Sequence, residues 1–115
     1  MIFVTGPAFS GKEAYVRGRM HWNEAQFREH AVCDAERLAY ETDALEKLAN
    51  SLAKMQVVIA NETGAGVVPV DATERKNREA AGRLACLLAE RADTVVRVVC
   101  GLPQVLKDPD GSAGT

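Results

Sequence analysis

Residues 6–12, Gly6-Pro7-Ala8-Phe9-Ser10-Gly11-Lys12, fit the pattern G-x-x-x-x-G-K, which is the strongest indication of how this chain folds. An apolar, β-prone run precedes them at residues 2–5, and a stretch of helical character follows at residues 12–22. In that setting the N–H groups of the loop and of the helix N-terminus surround a phosphate, and the lysine reaches the β- and γ-phosphates. The sequence therefore predicts a nucleotide-binding loop with Lys12 as a catalytic cation. The predicted nucleotide-binding residues are Gly6, Pro7, Ala8, Phe9, Ser10, Gly11, Lys12 and Glu13.

Glu13 departs from the pattern, because the residue after the lysine is ordinarily Ser or Thr, whose hydroxyl binds Mg²⁺. A carboxylate also ligates Mg²⁺. Without a neutralising metal it repels the phosphates, by roughly 4 kcal/mol for two unit charges 4 Å apart at an effective dielectric of about 20. The ancestry of the loop and its retained binding of nucleotide are therefore two separate hypotheses.

Apolar runs and helical periodicities alternate along the rest of the chain. Strands are predicted at residues 2–5, 31–34, 56–60 and 94–100, the last ending before Gly101 and Pro103. Helices are predicted at residues 12–22, 23–30 and 43–55, with a long one to about residue 91 capped by Asp71 or Thr73. The pattern predicts a small three-layer α/β domain of the phosphate-loop type, with a parallel sheet of about four strands. We expect one domain over residues 1–107 and a mobile tail over residues 108–115.

Composition excludes several classes of protein. The 115 residues carry 14 Lys+Arg and 16 Asp+Glu, so the chain lacks the basic patch that a nucleic-acid partner requires. No apolar run reaches the roughly 18–20 residues of a membrane span. Three cysteines without a close pair favour neither a disulfide framework nor a zinc site, and they predict a cytoplasmic protein.

Three blocks in the second half of the chain resemble a known family. Residues 61–69, Asn-Glu-Thr-Gly-Ala-Gly-Val-Val-Pro, resemble the N-E-x-G-x-G-[IV]-V-P segment of the bifunctional adenosylcobinamide kinase / adenosylcobinamide-phosphate guanylyltransferases of cobalamin biosynthesis. Residues 81–83, Ala-Gly-Arg, are similar to that family's D-x-x-G-R-x-N-Q helix. Residues 92–107 resemble its closing strand and its G-[IL]-P-x-x-[LI]-K end.

The resemblance implies a phosphate-loop fold, a homotrimer and ATP or GTP as a partner. It also implies a cobinamide substrate, whose aminopropanol hydroxyl is phosphorylated before GMP is transferred through a guanylylated histidine. It points to Glu62 as a catalytic residue and to Asp34 as the carboxylate for Mg²⁺. The substrate-binding candidates are Asn61, Gly64, Gly66 and Arg83.

Simpler roles stand beside two of these assignments. Glu62 alternatively accepts hydrogen bonds from nearby backbone N–H groups of its loop. Arg83 alternatively pairs with Glu79, one helical turn earlier.

The chain also departs from the family. The family's loop resembles G-G-x-R-S-G-K-S, and this chain has Pro7, Phe9 and Glu13 at three of those places. The stretch between Lys12 and Asn61 is shorter than in the family and lacks the H-x-x-x-R-P segment that bears the guanylylated histidine. The sequence therefore predicts a shortened relative with at most a kinase-like activity and without the guanylyl transfer.

Two other functions stay open from the sequence. The first is a non-catalytic family member that serves as a binding or subunit-contact module. The second is a small kinase for an unrelated hydroxyl substrate.

Overall fold

The computed structural model describes residues 1–63 and 71–109. Within these two ranges, five strands lie in one sheet: β1 (Ile2–Gly6), β2 (Ala31–Val32), β3 (Val57–Asn61), β4 (Thr94–Val99) and β5 (Leu102–Lys107). Five helices of the described residues connect or flank them: α1 (Lys12–Met20), α2 (Glu24–His30), α3 (Ala35–Tyr40), α4 (Leu45–Leu52) and α5 (Ala72–Arg91). None of these helices is both long and apolar enough to cross a bilayer, a statement that covers the described ranges only.

The sheet has the strand order β2-β3-β1-β4-β5. The first four strands run parallel, with Phe3 of β1 paired to Val58 of β3 and to Val95 of β4. Strand β5 returns antiparallel to β4. The predicted α/β class with a mainly parallel sheet is thus confirmed. Strand β4 ends at Val99, one residue before its predicted end, but the prediction that it is the last strand is wrong, because β5 follows it. Pro103 is tolerated because β5 is an edge strand.

Helices cover both faces of the sheet. On one face, α3, α4 and α5 bury a cluster that includes Phe3, Val58 and Leu84. On the other face, residues of α1 and α2 pack with Val4 and Ile59. These two residues directly follow Phe3 and Val58 along β1 and β3. Because successive strand residues point to opposite faces, the uninterrupted apolar runs make the sheet apolar on both sides. The three-layer prediction is confirmed.

Helix boundaries follow local capping signals where these exist. Asp71 caps α5 by accepting a hydrogen bond from the Glu74 N–H at 2.7 Å, which decides between the two predicted caps. The helix predicted over residues 43–55 is shorter, and it begins at Leu45 without a side-chain cap. Helix α3 was not predicted, and it packs mainly through the fully buried Ala35 and Ala39.

Candidate functional site

The predicted phosphate loop joins β1 to α1. Gly6 ends β1 with φ +150°, and Gly11 precedes α1 in the left-handed region, with φ +93°. Since α1 begins at Lys12, the first N–H groups of this helix have no partners within it and open onto the loop. The positive end of the helix dipole adds to the attraction for an anion.

Lys12 lies at the centre of this loop and is only 6% exposed. Its Nζ donates to the carbonyl oxygens of Gly6 and Pro7, at 3.3 and 2.5 Å, and to the Ser10 hydroxyl at 3.3 Å. Burial lowers the pKa of the Lys12 ammonium from its ordinary value, and nearby carboxylates oppose that shift. Those carboxylates, in order of their effect, are Glu36, Glu62 and Asp34.

The other loop residues divide into a buried base and an exposed tip. Ser10 is buried beside the lysine, whereas Ala8 is exposed and Phe9 is fully exposed with φ +59°. Pro7 is partly buried. The structure thus brings all the predicted nucleotide-binding residues onto one turn of chain.

Asn61 connects the carboxyl ends of β2 and β3 beside the loop. Its backbone N–H donates to Glu36 Oε1 at 2.9 Å, and its Nδ2 donates to Glu36 Oε2 at 3.2 Å and to Asp34 Oδ1 at 3.1 Å. Glu36 is only 5% exposed, so these hydrogen bonds satisfy a carboxylate that burial would otherwise penalise. Asn61, predicted to bind substrate, therefore already holds two carboxylates in place.

A cleft of about 450 Å³ opens between the loop, the end of β2 and Asn61. It lies outside the carboxyl ends of parallel strands, where ligands bind in open α/β sheets. Its lining residues are Phe9, Ser10, Gly11, Lys12, Glu13, Ala14, Cys33, Asp34, Ile59 and Asn61.

Asp34, which the sequence predicts as the Mg²⁺ ligand, lies in this cleft. It is exposed, stands directly after β2 and lines the same cleft as Lys12. Among residues 1–63 and 71–109, no group of three or more His, Cys, Asp or Glu side chains is arranged to hold a metal ion. Mg²⁺ at a phosphate site needs only one or two carboxylates, with phosphate oxygens and water completing its coordination. The donor set is thus compatible with a metal that arrives with nucleotide.

Glu13 lines the cleft without filling the centre of the loop. Its side chain is 60% exposed and lies 3.9 Å from Arg17 Nη1, one helical turn along α1. Its charge reaches the neighbouring thiol, since the pKa of Cys33 is raised by burial first and then by the carboxylates of Asp34 and Glu13. Asp34 and Glu13 therefore both bring negative charge to the lining of the cleft.

Glu62 directly follows β3 and forms an ion pair with Arg97 of β4. Arg97 donates from Nε to Glu62 Oε1 at 2.5 Å and from Nη2 to Oε2 at 3.0 Å. The hydrogen bond from Arg97 lowers the pKa of the Glu62 carboxyl below its ordinary value, with smaller help from the charge of Lys12. The Glu62 side chain is thus ionised at neutral pH, and it lies close enough to Lys12 for the two charges to interact.

A second cleft, of about 350 Å³, opens beside Glu62 and beneath α5. Small residues of α5 form one of its walls, namely Ala81, Gly82 and Ala85. Part of the segment that resembles the Gly-Arg helix of the family therefore adjoins the loop that carries Asn61 and Glu62.

The remaining predicted site residues lie elsewhere. Arg83 is exposed on α5 and lines a separate groove of about 960 Å³ between α4 and α5, together with Glu79. Gly64 and Gly66 lie outside the described residues. Neither histidine lines the two clefts beside the loop: His21 is exposed, and the His30 ring lies 5.5 Å from that of Trp22.

Two residues of the site, Glu36 and Arg97, were not predicted from the sequence. The signal for Arg97 was a single cation within an otherwise apolar strand, Thr-Val-Val-Arg-Val-Val. Glu36 offered a weaker signal, a second carboxylate two residues after Asp34.

Comparison with known proteins adds two findings. The family model described as cobinamide kinase / cobinamide phosphate guanyltransferase matches residues 20–106, a range that begins after the phosphate loop. The chain is also 39% identical over 74 residues to the bifunctional adenosylcobalamin biosynthesis protein CobP of Pseudomonas aeruginosa. That match covers 64% of this chain and 43% of the relative, so the chain spans less than half the length of the curated protein it matches.

Proposed function

The chain belongs to the cobinamide kinase / cobinamide phosphate guanyltransferase family, and from that premise we propose that it is a nucleoside-triphosphate-dependent kinase. It binds ATP or GTP at Gly6–Glu13 and transfers a phosphoryl group to a hydroxyl of a corrinoid side chain. The observation that carries this proposal is the buried Lys12, which lies at the centre of a strand–loop–helix turn beside the carboxyl ends of two neighbouring strands.

The loop and Lys12 supply the phosphate site. The N–H groups at the start of α1 bind phosphate oxygens, and the ammonium exchanges its three internal acceptors for the β- and γ-phosphates. This exchange costs little, because charge-assisted hydrogen bonds to phosphate replace bonds to neutral oxygens. Where Mg²⁺ accompanies the nucleotide, Asp34 is the residue to hold it, and the ion would neutralise phosphate charge.

Glu62 positions the acceptor hydroxyl. Its carboxylate, kept ionised by Arg97, accepts a hydrogen bond from the hydroxyl and aims the oxygen at the γ-phosphorus. The new bond joins that oxygen to phosphorus while the bond from phosphorus to the β,γ-bridging oxygen breaks. The nucleoside diphosphate leaves, and the hydroxyl proton passes to solvent. Such a transfer depends on positioning and charge neutralisation more than on a strong base, which suits a carboxylate of lowered pKa.

A non-catalytic role is the second candidate, and two observations favour it. Lys12 is already satisfied by three acceptors of its own loop, and Glu13 stands where a metal-binding hydroxyl would be expected. In this alternative the fold serves as a binding or subunit-contact module.

Calorimetric titration separates the two candidates. We would titrate ATP and then GTP with Mg²⁺ present, repeat both with cobinamide added, and follow with a phosphorylation assay. Lys12→Ala is expected to weaken nucleotide binding by about 10- to 100-fold, which corresponds to the loss of one hydrogen bond to a charged group. The control is Lys54→Ala, since this exposed lysine after α4 lies outside both clefts. Absence of nucleotide binding by folded protein would reject the kinase and leave the module.

Assembly and location follow from the same family premise. We propose a cytoplasmic homotrimer, in agreement with the resemblance described above. Light scattering coupled to size exclusion measures the number of subunits, and a monomer at micromolar concentration would contradict the proposal.

A further inference from the structure

The turn between β4 and β5 has a fixed and unusual backbone. Val99 pairs with Leu102, so Cys100 and Gly101 form a two-residue hairpin connection. Their φ angles are +53° and +75°. Positive φ at both central residues is the requirement of a type I′ hairpin turn, which matches the twist of the flanking strands. The turn is therefore a defined element rather than an arbitrary loop.

This turn touches the phosphate loop directly. The Gly101 N–H donates to the Ser10 carbonyl oxygen at 2.7 Å. A Cβ placed on Gly11 would lie 3.2 Å from the Gly101 Cα, and one placed on Gly6 would lie 2.2 Å from the Val98 carbonyl oxygen. Both glycines that bound the loop therefore pack against β4 and its turn.

The hydrogen bond to the Ser10 carbonyl oxygen also fixes the direction of the Gly11 N–H group. A peptide unit is planar and trans, so its N–H points opposite to its C=O. When Gly101 holds the Ser10 carbonyl toward the hairpin, the Gly11 N–H is directed away from the hairpin. No side chain in the described part of the chain caps the start of α1 at Gly11, so the N–H groups there stay available to an anion.

We infer that Gly101 is a positioning residue for the phosphate loop, which it holds in the shape that presents the Gly11 and Lys12 N–H groups to a phosphate. Its relevance to nucleotide rests on the function proposed above. This contact also gives a physical reason for the glycine in the Gly-Leu-Pro segment at residues 101–103, which the proposed reaction leaves without a role.

Three substitutions at one position test the inference. Gly101→Pro removes the donor. Gly101→Ala keeps the donor but strains a φ of +75°, although its Cβ would meet no atom of the described residues within 4 Å. Gly101→Asn keeps the N–H in a residue that tolerates positive φ. Gly18→Ala in α1 is the matched control, because that glycine also has open space around it.

Amide hydrogen exchange without nucleotide is the first measurement. The Tyr15 amide reports on the loop, because its N–H donates to the Gly11 carbonyl oxygen at 3.0 Å. We expect its exchange to rise several-fold in Gly101→Pro and Gly101→Ala and to stay near the wild-type rate in Gly101→Asn and Gly18→Ala. Amides of β1 and β3 report whether each variant is folded. If Gly101→Pro does not fold, the difference in amide exchange between Gly101→Ala and Gly101→Asn tests the inference. Unchanged loop exchange in a folded Pro or Ala variant, or equal loosening in the Asn variant, would overturn the inference.

Affinity for ATP and GTP with Mg²⁺ is the second measurement. Several-fold weaker binding is expected in the variants whose loop loosens, with affinity restored in Gly101→Asn. If the wild-type protein binds neither nucleotide, the proposed function fails, while the exchange data still decide the positioning role. Loosened loop amides with unchanged affinity would overturn the role in presenting N–H groups to phosphate.

Discussion

Arg97 holds Glu62 across the strand that carries the phosphate loop. Its guanidinium donates to both carboxylate oxygens, at 2.5 and 3.0 Å, from β4 to the end of β3. In the sheet order β3-β1-β4, this pair spans β1. The Glu62 N–H donates in addition to the Gly6 carbonyl oxygen at 2.8 Å. The base of the loop is thus tied to the strands on both of its sides.

This pair predicts a pH dependence of stability. The folded-state pKa of Glu62 is lowered, so its contribution is present above the unfolded value of about 4.5 and is lost as pH falls through the folded value. Glu62→Gln removes the ionisable group. We expect the difference in Tm between wild type and Glu62→Gln to be largest near pH 7 and to shrink below pH 4.5.

Thermal unfolding followed by circular dichroism at stepwise pH provides the measurement. Glu79→Gln is the control, since Glu79 is an exposed carboxylate on α5. A difference for Glu62→Gln that is the same at pH 7 and pH 3 would show that the ion pair does not contribute.

The buried face of α5 predicts a large loss of stability on truncation. Leu84 is 1% exposed and belongs to the cluster beneath α3, α4 and α5. Leu84→Ala is expected to lower the free energy of unfolding by about 2–5 kcal/mol, through lost burial and the cavity left behind. Leu102→Ala, at a side chain that is 71% exposed, is expected to change it by no more than about 0.5 kcal/mol. Denaturant titration measures both, and equal effects would contradict the assigned core.

The fold was predictable where local signals agree with tertiary structure. The apolar runs at β1, β3 and β4 predict buried parallel strands. The sequence predicts Asp71 or Thr73 as the cap of α5, and the structure has Asp71. Strand β5 was missed because Pro103 argues against a strand, and only pairing with β4 at the sheet edge makes it one. Helix α3 has six residues, too few to show a periodicity.

The site was predictable only in part, for a similar reason. A contiguous loop is visible in a sequence, so Lys12 and its neighbours were predicted together. Glu36 in α3 acts on Asn61, 25 residues away, and Arg97 in β4 acts on Glu62, 35 residues away and across β1. Their importance comes from the strand order, which no local pattern reveals.

Substitution of Glu13 is expected to strengthen the binding of nucleotide. Its carboxylate lines the same cleft as Asp34 and stands where a hydroxyl is expected to meet the metal. Glu13→Ser removes a negative charge and supplies that hydroxyl, so we expect affinity for Mg²⁺ with ATP or GTP to rise by about tenfold, equivalent to about 1.4 kcal/mol. Glu46→Ser on α4, at an exposed carboxylate away from the loop, is the control. Equal affinities for wild type and Glu13→Ser in calorimetry would show that Glu13 does not obstruct binding.

Cys33 offers a chemical reporter of the cleft. Burial and the charges of Asp34 and Glu13 raise the pKa of its thiol, so little of the reactive thiolate is present at pH 7. We expect slow alkylation by iodoacetamide at pH 7 and faster alkylation as pH rises above the ordinary value of 9.0. Nucleotide with Mg²⁺ is expected to slow the reaction further, because Cys33 lines the same cleft as Lys12.

Mass spectrometry of each cysteine peptide gives the rates, and Cys86 is the internal control because it is exposed on α5 and lines the groove between α4 and α5. Protection of Cys33 alone would localise nucleotide to the loop cleft. Equal protection of both thiols would indicate a global change instead, since a ligand seated beside Lys12 shields only the thiol that shares its cleft. Protection of neither thiol at saturating nucleotide would place the nucleotide elsewhere and contradict the site proposed at Gly6–Glu13.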